Sequence, residues 1–435
     1  MVGEARLGSR GVRRIVAALA GLVLVAGAGF VVYRVFAPGE VFAEATSSYP
    51  SAPTAKAPGV LGTLPSAPLI VDGRLRIVAD KRQVRADGPV DSRYLNTPYW
   101  SFRRWPAQLI GVVVAGDTVV SRWSDGELVG LDSRTGAESW RANGIKPLSD
   151  EYDGRRTGAH TVYQPVGLFL AGDVVVTAGA TETRAYDTAT GTISWRVPAA
   201  PQTCSVPEPR DPAGFTTGDG RVAVSRDCDT EVTFLDAATG VPAGTLPLAA
   251  GPVTGAVVEP LGCAAPRADC AGVRVGGAAW LFARSTATAG PEGTPASAEI
   301  GPAASGLARP GSSFVDGAAV SVSATEVVAV GATDGTPRWT HALDLPGAEI
   351  LAVEPGRVHL LTADRDLVTL DTSTGDERSR FRYTYFEEET DWAPGFAYAA
   401  DGFVVTERLA QPVSPPADDA DYYFDPQPVI LATTR

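Results

Sequence analysis

Lysine is almost missing from this chain. It occurs three times in 435 residues, at 56, 81 and 146, alongside one Met, three His and four Cys. Abundant Arg beside scarce Lys reads as the imprint of a GC-rich bacterial genome and carries no chemistry of its own. The other scarcities exclude more. His160, His341 and His359 are scattered and the Cys spacings are not Cys-x-x-Cys, so the usual zinc patterns are absent. No Gly-x-Ser-x-Gly sets up a hydrolase nucleophile. No Cys precedes Cys204, which excludes a lipid-anchoring Cys near the N-terminus. Positive charge is also short. The net charge is −13, and residues 1–36 hold five Arg against one Glu, which leaves −17 on the remainder. Such an acidic body argues against nucleic acid as a partner.

One long apolar run exists, Ile15 to Tyr33, with 19 uncharged positions. As a helix it would reach roughly 28 Å, close to the hydrocarbon thickness of a bilayer. Arg6, Arg10, Arg13 and Arg14 precede it with only Glu4 opposing, so the positive-inside rule places the N-terminus in the cytoplasm and the rest outside. The expected organisation is a cytoplasmic tail over 1–14, a signal-anchor helix over 15–34, a Pro/Ala/Ser/Thr-rich spacer over 35–68 and one large domain over 69–435. The rival is a leader cleaved near Ala45, after Phe42-Ala-Glu-Ala45, with a secreted product. The cytoplasmic membrane is thus the first expected partner, through Ile15–Tyr33.

A short phrase recurs in the large domain. It reads Asp132-Ser-Arg-Thr-Gly136, Asp187-Thr-Ala-Thr-Gly191, Asp236-Ala-Ala-Thr-Gly240 and Asp371-Thr-Ser-Thr-Gly375, with a weaker copy ending at Gly335. In three copies a Trp follows the Gly by four residues: Trp140, Trp195 and Trp339. An apolar run begins one turn after Gly116, Gly172, Gly220 and Gly356, and the phrase comes 15 or 16 residues after each of these glycines. A period of about 40–50 residues signals a propeller or another array. Each Asp is expected to cap its own turn, and the Gly to supply positive φ. A four-stranded unit cannot bury both faces alone, whereas a ring of them can. Seven units are expected, with eight as the alternative. The segment Tyr99 to Trp105 reads as the outer strand that closes the last unit, around Gly402 and Pro428.

The phrase Asp-x-x-Thr-Gly-x-x-x-Trp resembles the repeat of the PQQ-like (pyrroloquinoline-quinone-type) β-propellers, an all-β superfamily. It includes quinoprotein dehydrogenases and the assembly lipoprotein BamB. The resemblance spans about residues 70–435 and implies that Trp140, Trp195 and Trp339 dock between neighbouring blades. In the quinoprotein members it would also imply a calcium held by Glu, Asn and Asp, a catalytic Asp, and often adjacent cysteines. No Cys-Cys pair occurs here and no such acidic set is recognisable, so the expectation is no cofactor, no metal and no catalytic residue.

Four Cys in an exported domain favour disulfides. The expected pairs are Cys263–Cys270 and Cys204–Cys228. Two acidic, aromatic stretches stand apart as candidate interaction loops: 383–392, with Glu387, Glu388, Glu389 and Trp392, and 418–425, with Tyr422, Tyr423 and Phe424. The function expected is a non-catalytic protein-binding scaffold of the cell envelope, with another envelope or membrane protein as partner. A quinone- or sugar-dependent oxidoreductase and a small-ligand sensor using the central channel are the alternatives.

Overall fold

The repeated glycines sit where a strand turns back on itself. Gly116, Gly172, Gly220, Gly317, Gly356 and Gly402 all hold φ between 53° and 86°, a region open to Gly and costly to other residues. In the computed structural model these turns join the first and second strands of successive antiparallel sheets. The structure describes residues 16–27, 29, 39–92, 97–149, 151–152, 154–200, 210–227, 229–248, 258–264, 266–282, 300–302, 305–344, 347–386, 391–411, 422–424 and 426–435. Two units separate, Met1–Val41 and Phe42–Arg435. In the first, a helix is described over 16–27. Among the described residues no helix is long and apolar enough to cross a membrane; much of the expected 15–34 segment lies outside them.

The larger unit is an eight-bladed β-propeller; seven of the sheets have four strands and that of blade 1 has five. Blade 1 includes Pro68–Val71, Leu75–Asp80, Gln83–Asp87 and Trp100–Arg104. Blade 2 runs from Leu109–Ala115 to Glu138–Asn143 and blade 3 from Leu168–Ala171 to Ile193–Pro198. Blade 4 spans Ala213–Thr216 to Pro242–Pro247, and blade 5 spans Val258–Leu261 to Ile300–Pro302. Blade 6 runs from Ser313–Val315 to Pro337–Ala342, and blade 7 from Glu349–Glu354 to Glu377–Arg382. Blade 8 contains Ala393–Ala400, Phe403–Leu409 and Val429–Thr433. Its fourth strand is Gly59–Leu64, which pairs antiparallel with Val429–Thr433 from Gly59↔Thr433 to Leu64↔Val429.

Two expectations are thereby corrected. The ring has eight blades, not seven, and it is closed by Gly59–Leu64, which the sequence reading assigned to the spacer. Tyr99–Trp105 is not an orphan: Trp100–Arg104 pairs with Gln83–Asp87 within its own blade. The spacer is further shortened because residues from Phe42 onward pack on the propeller. Phe42 stacks on Phe102 at 4.3 Å, Ala45 donates its N–H to the Thr135 carbonyl, and Tyr49 donates to Asp72.

The middle strands of a blade lie between neighbouring sheets and are buried on both faces. Val119, Val120, Leu128, Val129 and Leu131 of blade 2 are all fully buried. The outer strands alternate instead: in Glu138–Asn143 only Trp140 is buried. That is the pattern of an edge facing water on one side.

Candidate functional site

The repeat phrase turns out to be structural machinery. Asp132 accepts hydrogen bonds from the N–H groups of Arg134 and Thr135 and from the Thr135 hydroxyl, at 2.8–2.9 Å. Asp187 does the same with Ala189 and Thr190, and Asp236 with Thr239. Asp371 accepts from the N–H groups of Ser373 and Thr374. These donors hold the Asp187 carboxyl below its usual range, with the Thr190 hydroxyl the largest influence.

Four Gly of the phrase, at 136, 191, 240 and 375, receive a Trp from the blade before them. A Cβ on Gly191 would lie 2.4 Å from the Trp140 ring, and one on Gly240 or Gly375 would lie 2.7 Å from Trp195 or Trp339. The same indoles donate N–H to carbonyls inside the next phrase: Trp140 to Thr188, Trp195 to Ala237 and Trp339 to Thr372, at 2.7–2.8 Å. Trp100 makes a fourth lock, over Gly136 and onto the Ser133 carbonyl at 2.7 Å. Sequence reasoning missed this one because no Asp-x-x-Thr-Gly precedes Trp100; the signal was the unpartnered Gly136.

The acidic stretches are a second correction. Trp392 is fully buried, packed in one cluster with Tyr383 and Ile430, with Phe424 partly buried against it. The Arg365 guanidinium lies 4.9 Å from its ring centroid. Tyr423 is buried, and Phe424 lies beneath Arg408. Residues of the two stretches do meet, but as core between blades 7 and 8, not as a presented surface. Tyr422 is half-buried, and Glu387, Glu388 and Glu389 lie outside the described residues. Phe386 is largely exposed, at 78%.

The chemistry-bearing space is instead the central channel. Between blades 2 and 3 the chain inserts residues 144–167, which carry the helix Ala159–Tyr163. Arg122 holds both ends of the insertion, donating to the carbonyls of Val166 and Ile145 at 2.8 and 3.1 Å. The middle crosses to blades 1 and 8. Tyr163 donates its hydroxyl to the Pro68 carbonyl at 2.7 Å, and Thr157 hydrogen-bonds the buried Glu407 carboxylate. Burial pushes the Glu407 carboxyl up, against the pull of Thr157, the Phe396 N–H and Arg155.

Blade 5 supplies the opposite wall. Cys263 and Cys270 are joined in a disulfide, and the loop between them leans on blade 4, where Thr216 N–H donates to the Arg267 carbonyl and Cys270 N–H to the Thr216 carbonyl. The other expected pair, Cys204–Cys228, lies outside the described residues. A cavity of about 220 Å³ remains between these parts, lined by Tyr163, Gln164, Arg267, Val353, Phe396 and Tyr398 among others. The lining does not fit a quinone held by calcium. It contains no carboxylate, and among the described residues no group of three or more His, Cys, Asp and Glu is placed to hold a metal. Its volume is also below the roughly 300–1,000 Å³ of ordinary small-molecule sites.

Residues 274–391, blades 5 to 7, match the family model described as outer membrane protein assembly factor BamB. Over those residues the chain is similar to the PQQ-like β-propeller repeat. No curated protein matches its sequence. Among solved structures it is similar to BamB from Moraxella catarrhalis, at 15% identity over 85% of this chain and 98% of that one, with a TM-score of 0.46. It is also similar to quinohemoprotein alcohol dehydrogenase from Comamonas testosteroni, at 13% identity over 91% of this chain and 76% of that one, with a TM-score of 0.42. The computationally designed Ika8 protein matches at 13% identity over 86% of this chain and 100% of that one, with a TM-score of 0.47.

Proposed function

We propose that this propeller is a non-catalytic protein-binding scaffold of the cell envelope, held at the cytoplasmic membrane by Ile15–Tyr33 with blades 1 to 8 on the extracytoplasmic side. The observation that carries the reading is the blocked channel. The insertion and the disulfide loop leave about 220 Å³ with no carboxylate in its lining, so the space where a redox cofactor would have to sit does not suit one. The match of residues 274–391 to an assembly factor points the same way. The Cys263–Cys270 bond supports an oxidising compartment, as do the four Arg that precede the apolar run.

A photo-crosslinker placed in intact cells at exposed positions such as Ile193, Val241 and Phe386 tests it. The expected product is the same envelope protein trapped from adjacent positions. Stoichiometric binding of pyrroloquinoline quinone and calcium with dye-linked alcohol or sugar oxidation would replace the scaffold reading by the oxidoreductase one. Protease added to spheroplasts is expected to digest the propeller; complete protection would overturn the topology.

A further inference from the structure

The channel cavity holds an arginine with nothing to answer it. Arg267 lines the cavity, is half-buried, and sits in a left-handed backbone conformation at φ 55°, inside a loop pinned by the disulfide and by Thr216. Among the described residues its guanidinium makes no side-chain hydrogen bond or ion pair. Burial pushes it below its usual value, and no neighbouring carboxylate opposes that. The same molecule pairs its other sequestered arginines: Arg221 with Asp219, Arg274 with Glu259, and Arg122 with two carbonyls. Gln164, across the cavity at the end of the helix Ala159–Tyr163, likewise leaves its amide without a side-chain partner among the described residues. The remaining wall is aromatic. Tyr163 and Tyr398 stand 5.3 Å apart between ring centroids and Tyr163 and Phe396 6.2 Å apart.

A partly desolvated cation lining a cavity is costly unless an anion joins it, and a planar guanidinium matches a carboxylate with two parallel hydrogen bonds. The volume equals about seven waters, which suits a compact molecule and not a cofactor. We propose that the cavity binds a small monocarboxylate with an apolar body, its carboxylate on Arg267 and Gln164 and its body against Phe396, Tyr163 and Tyr398. Because the walls come from the insertion, blade 5, blade 7 and blade 8, such a ligand would bridge four separate parts of the ring.

Calorimetric titration of the full chain with benzoate, acetate and benzamide tests this. Benzoate is expected to bind once per chain, acetate more weakly because it leaves the aromatic wall unfilled, and neutral benzamide about tenfold weaker than benzoate, the loss of one charge-assisted contact. Arg267→Gln should abolish benzoate binding with an unchanged melting temperature, and Arg267→Lys should restore part of it. Benzamide binding as tightly as benzoate, no binding of any carboxylate, or unchanged affinity in a folded Arg267→Gln protein would each overturn the proposal. The benzoate–benzamide pair needs no variant, so a misfolded substitution does not protect it.

Discussion

Blades 3 and 5 solve the same packing problem by different means. Blade 3 has strands of four to six residues, and its Trp195 is clamped between Gly240 and the Ala237 carbonyl of blade 4. Blade 5 has no Asp-x-x-Thr-Gly phrase, and its outer strand, Ile300–Pro302, is three residues long. Blade 4 sends it no Trp, since Leu246 takes the buried position of the outer strand. In place of the indole clamp, blade 5 is tied within itself by Cys263–Cys270. It is tied to blade 6 by Arg274, which donates to the Leu307 and Arg309 carbonyls and to the Ser312 hydroxyl while pairing with Glu259. The core between blades 5 and 6 contains only aliphatic side chains at its centre, among them Leu261, Leu281 and Leu307. A repeat that loses its apolar lock can be kept in a ring by covalent and polar ties. The loop so tied is also the one that places Arg267 in the channel.

The sharpest way to break this comparison is to ask whether the clamped blades hold a ring that is left open. Deleting residues 427–435 removes Val429–Thr433 and with it the pairing of Gly59–Leu64. Cooperative unfolding is expected to disappear and yield to collapse, because two unpaired edges are left. An unchanged melting curve would show that the four Trp locks suffice. Next comes the lock itself. Trp195→Ala is expected to destabilise by about 3–5 kcal/mol, as for other buried Trp truncations, measured by denaturant titration. Arg274→Met should cost about 2–3 kcal/mol, since it removes the guanidinium donor from the buried Leu307 carbonyl and Ser312 hydroxyl and leaves Glu259 without its partner. Removing the disulfide as Cys263→Ser with Cys270→Ser should cost about 2 kcal/mol, given its short loop. If either blade 5 variant proves more damaging than Trp195→Ala, the polar ties are the stronger device and the comparison inverts.

The smallest effect concerns the strap over the channel. The Glu407 carboxyl is raised by burial, so it binds its proton more tightly in the folded state. Its contribution is therefore fully present below the ordinary carboxyl value of 4.5 and is lost as pH rises through the raised one. Glu407→Gln should remove that slope. Melting temperatures of the two proteins are expected to converge toward low pH and to separate in favour of the Gln variant as pH rises. A constant difference across the range would show that Glu407 is held by geometry alone.

Much of the ring was legible before any coordinates. The Gly-to-Asp spacing located blades 2, 3, 4, 6 and 7 because turn chemistry leaves fixed letters. Blade 1 was hidden because its third and fourth strands are joined over 88–99 without the phrase. Its first turn did carry a signal: Asp72 and Gly73 both have positive φ, as do Asp316–Gly317 and Asp401–Gly402. The exposed look of the acidic stretches misled for a physical reason. Charge marks a loop's solvated side, while Trp392 and Tyr423 between the charges face inward. The channel could not be read at all, since Gln164, Arg267 and Phe396 lie far apart in sequence and meet only through an insertion and a cross-linked loop.

The pairing of Val60 with Ala432 also imposes an order in time. At translation rates of about 5–20 residues per second, roughly 20–70 s separate the synthesis of these two partners. Throughout that interval the early strand has no place to go, and blade 8 exists only as fragments. The ring is therefore completed only once Val429–Thr433 has been made and finds Gly59–Leu64. A nascent chain stalled before Val429 would carry seven blades and an unmade clasp.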